Sequence, residues 1–452
     1  MAELVMSPVL QQLQAHLSTL EQAQHIYVGY SGGLDSHVLL HGAVAILGSE
    51  RVVALHINHQ LSELACDWAE HCAQVCRALR VDLQTYTVDV HRQVSSTENA
   101  ARAARYQVFE RILSEHDTLL LAHHQNDQAE TVLYRLLRNS GPRGLAGIPS
   151  TRTVGKGRLL RPFLPLPRSE LDCYAREHQL HWIDDPSNID LIHDRNYLRH
   201  KVIPALGQRW PDFAARIASS ASLCQQADAL SSDLADIDLK KLGDKQERLG
   251  RSVNLSSLVA LSSLRQANVL RHWARLHCQS PPGYHSVMAV LESVLPAGQD
   301  RTPLVAWSGG EWRRFNGRLF LLPGGWREQV PVASEWQPET PLTLADGSTL
   351  SATPTNDSGL QLLPGEQLLV KFRSGGERCH PAGRLGSRSL KKLLKEYQLE
   401  PWLRDRIPLI YKHSVVGEKG EQLVAVGDLW VCQDFIVTGG NSVYRLRWDQ
   451  SP

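Results

Sequence analysis

The sequence predicts an α/β protein: an N-terminal domain built on a parallel sheet, a mostly helical middle domain and a small α+β C-terminal domain. Strands and helices alternate through the first 200 residues, which predicts a parallel sheet with helices on both faces. Helical spacing replaces this alternation after about residue 215, and short strands return near residue 304. We therefore predict four segments, 1–214, 215–325, 326–366 and 367–452, the third of which is a connector.

Short apolar runs and helical stretches follow one another through the first segment. An amphipathic helix with Val9, Leu13 and Leu17 comes first, and the absence of Lys and Arg around it argues against a signal peptide. The predicted strands are Ile26–Tyr30, Val52–Asn58, Leu83–Val88 and Leu119–Ala122. The predicted helices end at Ile46, span Trp68–Leu79, run from a capping box of Ser95 and Glu98 to about Leu113, and begin at about Asp127.

The second half of the chain carries weaker patterns. Residues 215–295 show helical spacing and no obvious strand. Three short strands with glycine turns between them are predicted at Leu304–Trp307, Glu311–Phe315 and Arg318–Leu322. Residues 324–366 are rich in Pro, Gly, Thr and Ser, so we predict a connector with some strand content before a final unit that begins near Leu368.

The composition is that of an ordinary soluble protein, with 42% hydrophobic and 21% charged residues among 452 and a net charge of +1. No stretch approaches the roughly 20 apolar residues of a membrane span. The eight cysteines form no CxxC pair, so we expect a reduced, cytoplasmic protein in which Cys72 and Cys76 are a buried structural pair. The sequence leaves the oligomeric state open, and a homodimer is one of the states it allows.

A glycine-rich loop, Ser31-Gly32-Gly33-Leu34-Asp35-Ser36, joins the first predicted strand to the helix that follows. Its glycines let the backbone turn tightly, and the N–H groups at a helix N-terminus attract anions. Serine hydroxyls add donors, and Asp35 can hold Mg²⁺ against a polyphosphate. No Gly-Lys-Ser/Thr tripeptide is present, which excludes a Walker loop.

These six residues resemble the signature of the PP-loop ATP pyrophosphatases. The resemblance implies a nucleotide-binding N-terminal domain that takes ATP as a substrate and cleaves it between the α and β phosphates. AMP and pyrophosphate would be the products. The alternative is a turn without a ligand, as at Ser308-Gly309-Gly310, where no Asp-Ser pair and no helix follow.

A second polar cluster, His123–Thr131, follows the fourth predicted strand. At helical spacing His123, Asp127 and Glu130 share one face, and the carboxyl end of a parallel strand would place them in the crevice of the loop. The carboxylates can hold a cationic amine or Mg²⁺, with Asp35 and Asp127 as the candidate metal ligands. His123 can contact phosphate or exchange a proton near neutral pH. The alternative is a solvated helix start, where acids are common.

The cluster resembles the HHxxDQxET motif of the tRNA(Ile)-lysidine synthetases, and two further segments share that resemblance. Arg102 and Arg105 match the family's ARxxRY region and suit a phosphate or carboxylate. Residues 181–200 resemble its WxEDPSN…RNxIRHxxxP block, with Asp184 in place of the usual Glu. The substrate or phosphate contacts implied there are Asp184, Asp185, Asn188, Arg195, Asn196 and Arg199. Surface salt bridges and a capped turn are the structural alternatives.

The C-terminal segment concentrates positive charge. Residues 371–412 hold eleven Lys and Arg and four Asp and Glu, a net of +7 that leaves −6 for the rest of the chain. This asymmetry favours contact with an RNA backbone, and the segment resembles the family's C-terminal tRNA-binding domain. The candidate tRNA contacts are Lys371, Arg373, Arg378, Arg388, Lys391, Lys392, Lys395 and Arg404. The alternative is a solvated basic face.

The resemblance implies a ligase that joins L-lysine to C2 of the wobble cytidine in the CAU anticodon of tRNA(Ile). ATP, L-lysine, this tRNA and Mg²⁺ are its implied substrates and cofactor. One alternative is a PP-loop tRNA cytidine thiolase, which would need reactive cysteines or an iron–sulfur site, although the chain has no CxxC. Another is a non-catalytic tRNA-binding protein with an inactive loop, which the intact Asp35, Asp127 and Glu130 disfavour.

Overall fold

The computed structural model describes residues 6–18, 20, 25–60, 64–88, 97–186, 190–298, 301–328, 331–363, 365–413, 421–439 and 442–449. The chain forms two compact units, Met1–Leu230 and Ser231–Pro452. Among the described residues, no helix is long and apolar enough to cross a membrane. The predicted segment boundaries after residues 214, 325 and 366 stay predictions. The predicted capping box includes Ser95, which lies outside the described residues.

The helices are numbered in chain order. They are α1 Pro8–Leu17, α2 Leu34–Leu47, α3 Ala65–Leu79, α4 Thr97–Ile112, α5 Gln125–Leu137, α6 Pro142–Leu145, α7 Arg168–Glu177, α8 Asp194–Tyr197, α9 Ile203–Arg209, α10 Phe213–Leu242, α11 Leu255–Val259, α12 Ser263–His277, α13 Tyr284–Ala289 and α14 Leu390–Glu396. π-helical turns at Leu198–Val202 and Val290–Val294 continue α8 and α13. Short 3₁₀ turns lie at Ser49–Arg51 and Gln433–Phe435.

The strands follow in the same order. They are β1 Ile26–Gly29, β2 Val52–Asn58, β3 Asp82–Thr87, β4 Thr118–Leu120, β5 Thr151–Val154, β6 Gly157–Leu160, β7 Lys245–Gln246, β8 Arg251–Asn254, β9 Leu304–Trp307, β10 Gly310–Phe315, β11 Arg318–Pro323, β12 Ser334–Trp336, β13 Leu342–Thr343, β14 Thr349–Pro354, β15 Ser358–Gln361, β16 Leu368–Lys371, β17 Arg378–Cys379, β18 Arg388–Ser389, β19 Leu409–His413, β20 Glu421–Val426, β21 Trp430–Val431, β22 Ile436–Thr438 and β23 Val443–Asp449.

The N-terminal unit is built on a six-stranded sheet in the order β3-β2-β1-β4-β6-β5. All neighbouring strands run parallel except β5, which pairs with β6 in the antiparallel sense. The predicted parallel sheet and its first four strands are confirmed. The sequence does not predict the hairpin of β5 and β6, because Thr151, Arg152 and Thr153 are exposed and leave β5 without an apolar run.

The order of the strands creates a crevice beside β1. This strand lies between β2 and β4, with Ile26 paired to both Val52 and Thr118. The chain therefore moves outward to β3 on one side of β1 and resumes at β4 on the other. The connections leaving β1 and β4 diverge, which opens a crevice at the carboxyl ends of the two strands. Residues 31–36 follow β1 and His123 follows β4, so this topology brings them together.

Helices cover both faces of this sheet, as the strand–helix alternation predicts. One face packs against α1, α2 and α7, with Leu13, Leu39 and Leu171 in the shared core. The other face packs against α4 through Tyr106 and Phe109, and against Leu113, which follows that helix. Residues of one strand alternate between the two cores, which is the pattern expected for a strand covered on both sides.

The predicted buried pair of cysteines is confirmed. Cys72 and Cys76 lie on the inner face of α3, and both are at most 1% exposed. Burial and the neighbouring Cys76 raise the pKa of Cys72 to about 12, and burial with Asp82 raises that of Cys76 to about 11. Both thiols are therefore protonated at neutral pH and poor nucleophiles.

The middle of the chain contains more strand than the sequence predicts. The strands β7 and β8 lie within residues 215–295 and complete an antiparallel sheet in the order β7-β8-β11-β10-β9. The prediction of no strand there is wrong. The strand β8 carries a single buried apolar side chain, Val253, so it gives no alternating signal. The helices α12 and α13 pack on this sheet around Trp273 and Trp312.

The strand content expected in residues 326–366 is present and belongs to the C-terminal sheets. The strand β12 pairs with β16, and β14 pairs with the final strand β23. Two five-stranded antiparallel sheets result, in the orders β12-β16-β19-β20-β21 and β13-β14-β23-β15-β22. Their shared core includes Trp336, Leu350, Leu393 and Trp448.

Candidate active site

The glycine-rich loop makes a tight turn between β1 and α2. Gly32 has a φ of +85°, and Gly33 is the N-terminal cap residue of α2. The hydroxyl of Ser36 donates to the carbonyl of Gly33 (2.9 Å) and accepts from the Ser31 N–H (3.2 Å). These bonds hold the loop with the N-terminus of α2 behind it, which is the arrangement that binds phosphate.

A second segment of chain clamps this loop from outside. The Ile183 N–H donates to the carbonyl of Gly32 at 3.0 Å. A Cβ atom on Gly32 would lie 2.8 Å from Ile183 Cδ1 and 3.1 Å from Cys72 Sγ. Glycine is therefore required at residue 32 by its backbone angle and by the lack of space.

The connection from β4 to α5 is an N-terminal cap rather than a longer helix. His124 has extended backbone, accepts from the Asp127 N–H and donates its own N–H to Asp127 Oδ2 at 2.9 Å. The helix begins at Gln125, so the helical spacing predicted for His123 with Asp127 and Glu130 is wrong at His123. His123 lies in the connection instead.

His124 joins the loop to α5 electrostatically. Its Nε2 lies 3.6 Å from Asp35 Oδ2 and 3.4 Å from Asp127 Oδ2. Burial alone would lower the pKa of His124, but the two carboxylates outweigh it and raise that pKa. Burial would likewise raise the pKa of Asp35, yet His124, Arg168 and Arg199 hold it below its ordinary value. Asp35 is therefore ionised at neutral pH.

A cavity of about 300 Å³ opens at this crevice. Seven of the predicted site residues line it: Ser31, Gly33, Asp35, Ser36, Arg105, His123 and Asp127. Four apolar side chains form another part of its wall: Leu55, Ile57, Phe109 and Leu121. A cavity with an anion-binding loop, an arginine and an apolar wall has the chemistry to bind a nucleotide.

Comparisons with known proteins agree with this geometry. Family models match along the chain: the PP-loop domain at residues 5–206, the TilS substrate binding domain at 254–320 and the TilS substrate C-terminal domain at 368–448. A tRNA(Ile)-lysidine synthase of Coxiella burnetii is 39% identical over 435 residues, which cover 95% of this chain and 94% of that protein. One from Alkalilimnicola ehrlichii is 40% identical over 440 residues, which cover 96% and 95%.

The chain belongs to the tRNA(Ile)-lysidine synthase family. Another member, from Serratia proteamaculans, is 38% identical across 97% of this chain and 98% of its own length. The PP-loop domain at residues 5–206 of this chain implies that it binds ATP. The resemblance and the fold class predicted from the sequence are both confirmed.

Some of the predicted site residues do not face the cavity. Gly32 and Leu34 do not line it, and the Leu34 side chain lies in the core beneath the loop. Arg102 lies over the ring of Tyr106 with 5.3 Å between its Cζ and the ring centroid. Leu34 therefore contributes only its backbone to the loop.

Glu130 and Arg199 are brought together by α5 and the helical run that starts at α8. Arg199 Nε and Nη2 lie 3.0 and 2.8 Å from Glu130 Oε2, and Nη2 lies 3.8 Å from Asp127 Oδ1. The Glu130 side chain is only 5% exposed. Burial raises the pKa of Glu130, and Arg199 works against that rise. Glu130 therefore holds Arg199 beside Asp127 and is not a free carboxylate.

The other predicted contacts within residues 181–200 differ in their surroundings. Arg195 stacks over the ring of Tyr134 at 5.4 Å, and the Asn196 side chain donates to the carbonyl of Asp190 at 2.8 Å. Asp184 is exposed and follows Ile183, whose N–H donates to the carbonyl of Gly32. Asp185 is half-buried. The predicted contact Asn188 lies outside the described residues.

Four residues near the site escape the sequence patterns. They are His59, which lines the cavity, His124 and Arg168, which contact Asp35, and Arg161, which contacts His123. The pair His123-His124 indicates where the site lies in the sequence. Helical spacing predicts that His123 lies beside the carboxylates, but His124 contacts them. Arg161 and Arg168 come from the segment after β6, a strand that the sequence does not predict.

The basic C-terminal segment is more neutral than its sequence indicates. Several of its bases form ion pairs, in which Lys371 contacts Glu421, Arg373 contacts Asp405, Arg384 and Arg388 share Glu396, and Lys412 contacts Glu366. Glu366 and Glu421 lie outside residues 371–412, so the net of +7 overstates the local charge. Arg378 and Arg404 donate to backbone carbonyls.

Three lysines remain as a cationic face. Lys391, Lys392 and Lys395 are exposed on α14, while Leu390, Leu393 and Leu394 on its other side are buried. Within the part of the chain that the structure describes, none of the three forms an ion pair. They are predicted tRNA contacts whose charge is not paired by any described residue, in contrast to Lys371, Arg373 and Arg388.

The ion pair of Glu130 leads to a prediction about stability. Glu130→Gln is expected to lower the free energy of unfolding by about 1–3 kcal/mol, because a hydrogen-bonded buried charge is lost. Asp127→Asn should cost less than about 1 kcal/mol, since asparagine keeps the capping acceptor. Urea titration of both variants checks this. Equal losses would contradict the assignment of Glu130 as the partner that holds Arg199.

Proposed function

We propose that this chain joins L-lysine to C2 of the wobble cytidine in the CAU anticodon of tRNA(Ile), using ATP. The observation that carries the proposal is the cavity between the loop at residues 31–36 and the start of α5, in a chain of the lysidine synthase family. The product pairs with A instead of G. The tRNA would then read AUA instead of AUG and accept isoleucine instead of methionine.

ATP would bind with its adenine against the apolar wall and its phosphates on the loop. Leu55, Ile57, Phe109 and Leu121 offer a surface for a purine, and the N-terminus of α2 attracts the triphosphate. Arg105 lies on the cavity wall and can neutralise phosphate charge.

Mg²⁺ fits this donor set. The Oδ1 atom of Asp35 is buried and has no hydrogen-bond partner among the described residues. No cluster of three or more metal-binding side chains occurs in the described ranges. Mg²⁺ is often held by one or two carboxylates together with substrate phosphates, so Asp35 and Asp127 suffice as protein ligands. When bound, the ion would neutralise charge on the pyrophosphate that leaves.

The chemistry proceeds by two displacements. The O2 atom of cytidine attacks the α-phosphorus of ATP, and the bond to pyrophosphate breaks. The ε-amine of lysine, after losing a proton, attacks C2, and the C2–O2 bond breaks as AMP leaves with that oxygen. The protein supplies positions and electrostatic stabilisation, and Asp127 is the carboxylate of α5 that faces the cavity and can hold the lysine ammonium group.

The tRNA would contact the cationic face of α14. Lysine side chains on an exposed helix face bind phosphates and add affinity with little sequence choice. The proposed substrates are found in the cytoplasm, where we place the reaction. A homodimer stays a prediction, which sedimentation at several protein concentrations checks.

Replacing Lys391, Lys392 and Lys395 together by glutamine should weaken tRNA binding and flatten its dependence on salt. Because the variant can no longer neutralise three phosphates, the slope of log affinity against log salt is expected to change by about 2–3 units. The rate at saturating tRNA should survive, because the lysines lie outside the ATP cavity. The measurement is tRNA affinity across a salt series, paired with the rate at saturation.

A matched control removes the same charge elsewhere. Lys156, Lys240 and Lys241 are exposed, and replacing them by glutamine removes three positive charges outside the basic segment. The control should leave the salt slope nearly unchanged. A slope that changes equally in both triple variants would mean that only net charge matters, and an unchanged slope in the α14 variant would remove its role.

The function itself is tested by the dependence of the products on each substrate. With labelled ATP, tRNA alone should give pyrophosphate and a tRNA that carries AMP, and adding lysine should release that AMP. ADP as the product, or AMP release that needs a sulfur donor and ignores lysine, would contradict the proposal.

A further inference from the structure

Arg161 is an arginine with 1% exposure at the end of β6. Its guanidinium donates to three acceptors: the carbonyl of Pro149 from Nη1 (2.7 Å), the hydroxyl of Tyr106 from Nη2 (3.1 Å) and His123 Nδ1 from Nε (3.2 Å). No carboxylate of the described residues lies within ion-pair distance of it. A buried arginine without a carboxylate is costly, so its placement calls for a role other than stability.

The contact with His123 has a defined chemical meaning. An arginine N–H can only donate, so His123 Nδ1 must accept and must carry a lone pair. The ring proton then resides on Nε2, and the imidazole is neutral. Burial, followed by the charges of Arg161, Arg105 and Arg102, holds the pKa of His123 well below its ordinary value.

The surroundings of the ring agree with a neutral imidazole. The charged or titratable groups around it are Arg102 and Arg105 from α4, Arg161 from the end of β6, its neighbour His124, and Asp35, Asp127 and His59 on the walls of the same cavity. The carboxylates that would favour a cation are Asp35 and Asp127, and the histidine that contacts both of them is His124.

We propose that Arg161 is a positioning residue that fixes His123 as the Nε2–H tautomer, so that His123 meets its ligand as a neutral hydrogen-bond donor. Nδ1 is taken by Arg161, and Nε2 is the ring atom left for a ligand in the cavity that His123 lines. The inference rests on the proposed function, because the acceptor is a phosphate oxygen of ATP or of the departing pyrophosphate. His123 then contacts phosphate and does not exchange a proton. Of the two roles that the sequence allows for His123, the inference selects the contact with phosphate.

The direct test is the ¹⁵N spectrum of the histidine rings in the whole chain without substrates. His123→Gln assigns the signals of His123. Between about pH 5.5 and 8 the spectrum should show Nδ1 unprotonated, Nε2 protonated and no titration. A proton on Nδ1, or an ordinary titration of this ring, would overturn the inference.

Arg161→Met removes the donor and keeps much of the bulk. His123 should then stay neutral, because burial and the charges of Arg105 and Arg102 still hold its pKa down, but its ring proton should be shared between Nδ1 and Nε2. The ratio of variant to wild-type KM for ATP should be several-fold above one, because His123 is no longer held with its Nε2–H as a donor for the phosphates. A merely structural arginine would change stability but neither the tautomer nor this ratio.

Arg158→Met is the matched control, since Arg158 lies on β6, just before Arg161 in the chain, but is exposed. It should leave the His123 spectrum and the KM ratio unchanged. If Arg161→Met does not fold, the ¹⁵N spectrum of the wild-type chain still shows which ring nitrogen of His123 carries the proton. If wild-type chain makes no lysidine but His123 has the expected spectrum, the proposed function fails and the tautomer assignment stands. If lysidine forms but His123 titrates, the tautomer assignment fails and the proposed function stands.

Discussion

Asp35→Ala is expected to reduce pyrophosphate release by at least about a thousand-fold while tRNA affinity stays within a factor of about two. Asp35 lies in the first turn of α2, on the wall of the cavity, and its Oδ1 atom has no hydrogen-bond partner among the described residues. Removing it takes away the proposed metal ligand and one of the two carboxylates that bind His124. Pyrophosphate release and tRNA affinity are measured on the same preparation.

The control for Asp35→Ala is an exposed acid beyond the other end of α2. Glu50 lies in the short turn after this helix and is exposed, so Glu50→Ala removes an equal charge away from the cavity. Its pyrophosphate release should match that of wild type. Normal release by Asp35→Ala would remove the phosphate and metal roles from this residue, and lost tRNA binding would mean that the change disturbs more than the cavity.

Asp127→Asn is expected to reduce lysine incorporation by about a hundred-fold or more without a large change in melting temperature. Asparagine keeps the shape and the acceptor of the cap at the start of α5, but it removes the charge that faces the cavity, His124 and Arg199. The experiment compares lysine incorporation with the thermal melt.

A helix-start acid without a cavity serves as the control for Asp127→Asn. Asp67 lies in the first turn of α3 and is exposed. Asp67→Asn should leave incorporation unchanged. Retained incorporation in Asp127→Asn would mean that this carboxylate only caps the helix. The cluster would then be the solvated helix start that the sequence also allows.

Much of the candidate site could be predicted because its parts are contiguous. Residues 31–36 carry their whole geometry within six positions, and a parallel sheet brings the ends of β1 and β4 together whatever the loops do. The strand Val52–Asn58 was predictable from its apolar run, since a strand covered on both faces has no polar alternation.

The contacts across the fold could not be predicted in the same way. Helical spacing assumes a helix, and the extended backbone of His124 breaks that assumption one residue before α5. The ion pair of Glu130 with Arg199 joins residues 69 apart in sequence. Neither local sequence pattern indicates that Arg199 will neutralise the charge of Glu130.

Strands without alternating apolar residues could not be predicted from the sequence either. The hairpin of β5 and β6 and the strand β8 are held by pairing with neighbours rather than by their own pattern. Charge counting fails for a related reason, because Glu366 and Glu421 reach the basic segment only in the folded chain.

Lysidine formation is tested most directly by the mass of the wobble nucleoside. The purified chain is incubated with a tRNA(Ile) transcript that has a CAU anticodon, ATP and L-lysine, and the tRNA is digested to nucleosides. The wobble cytidine is expected to gain the mass of lysine minus water, and omitting either ATP or lysine should prevent the gain. An unchanged cytidine with all substrates present, or a cytidine whose oxygen is replaced by sulfur when a sulfur donor is supplied, would contradict it.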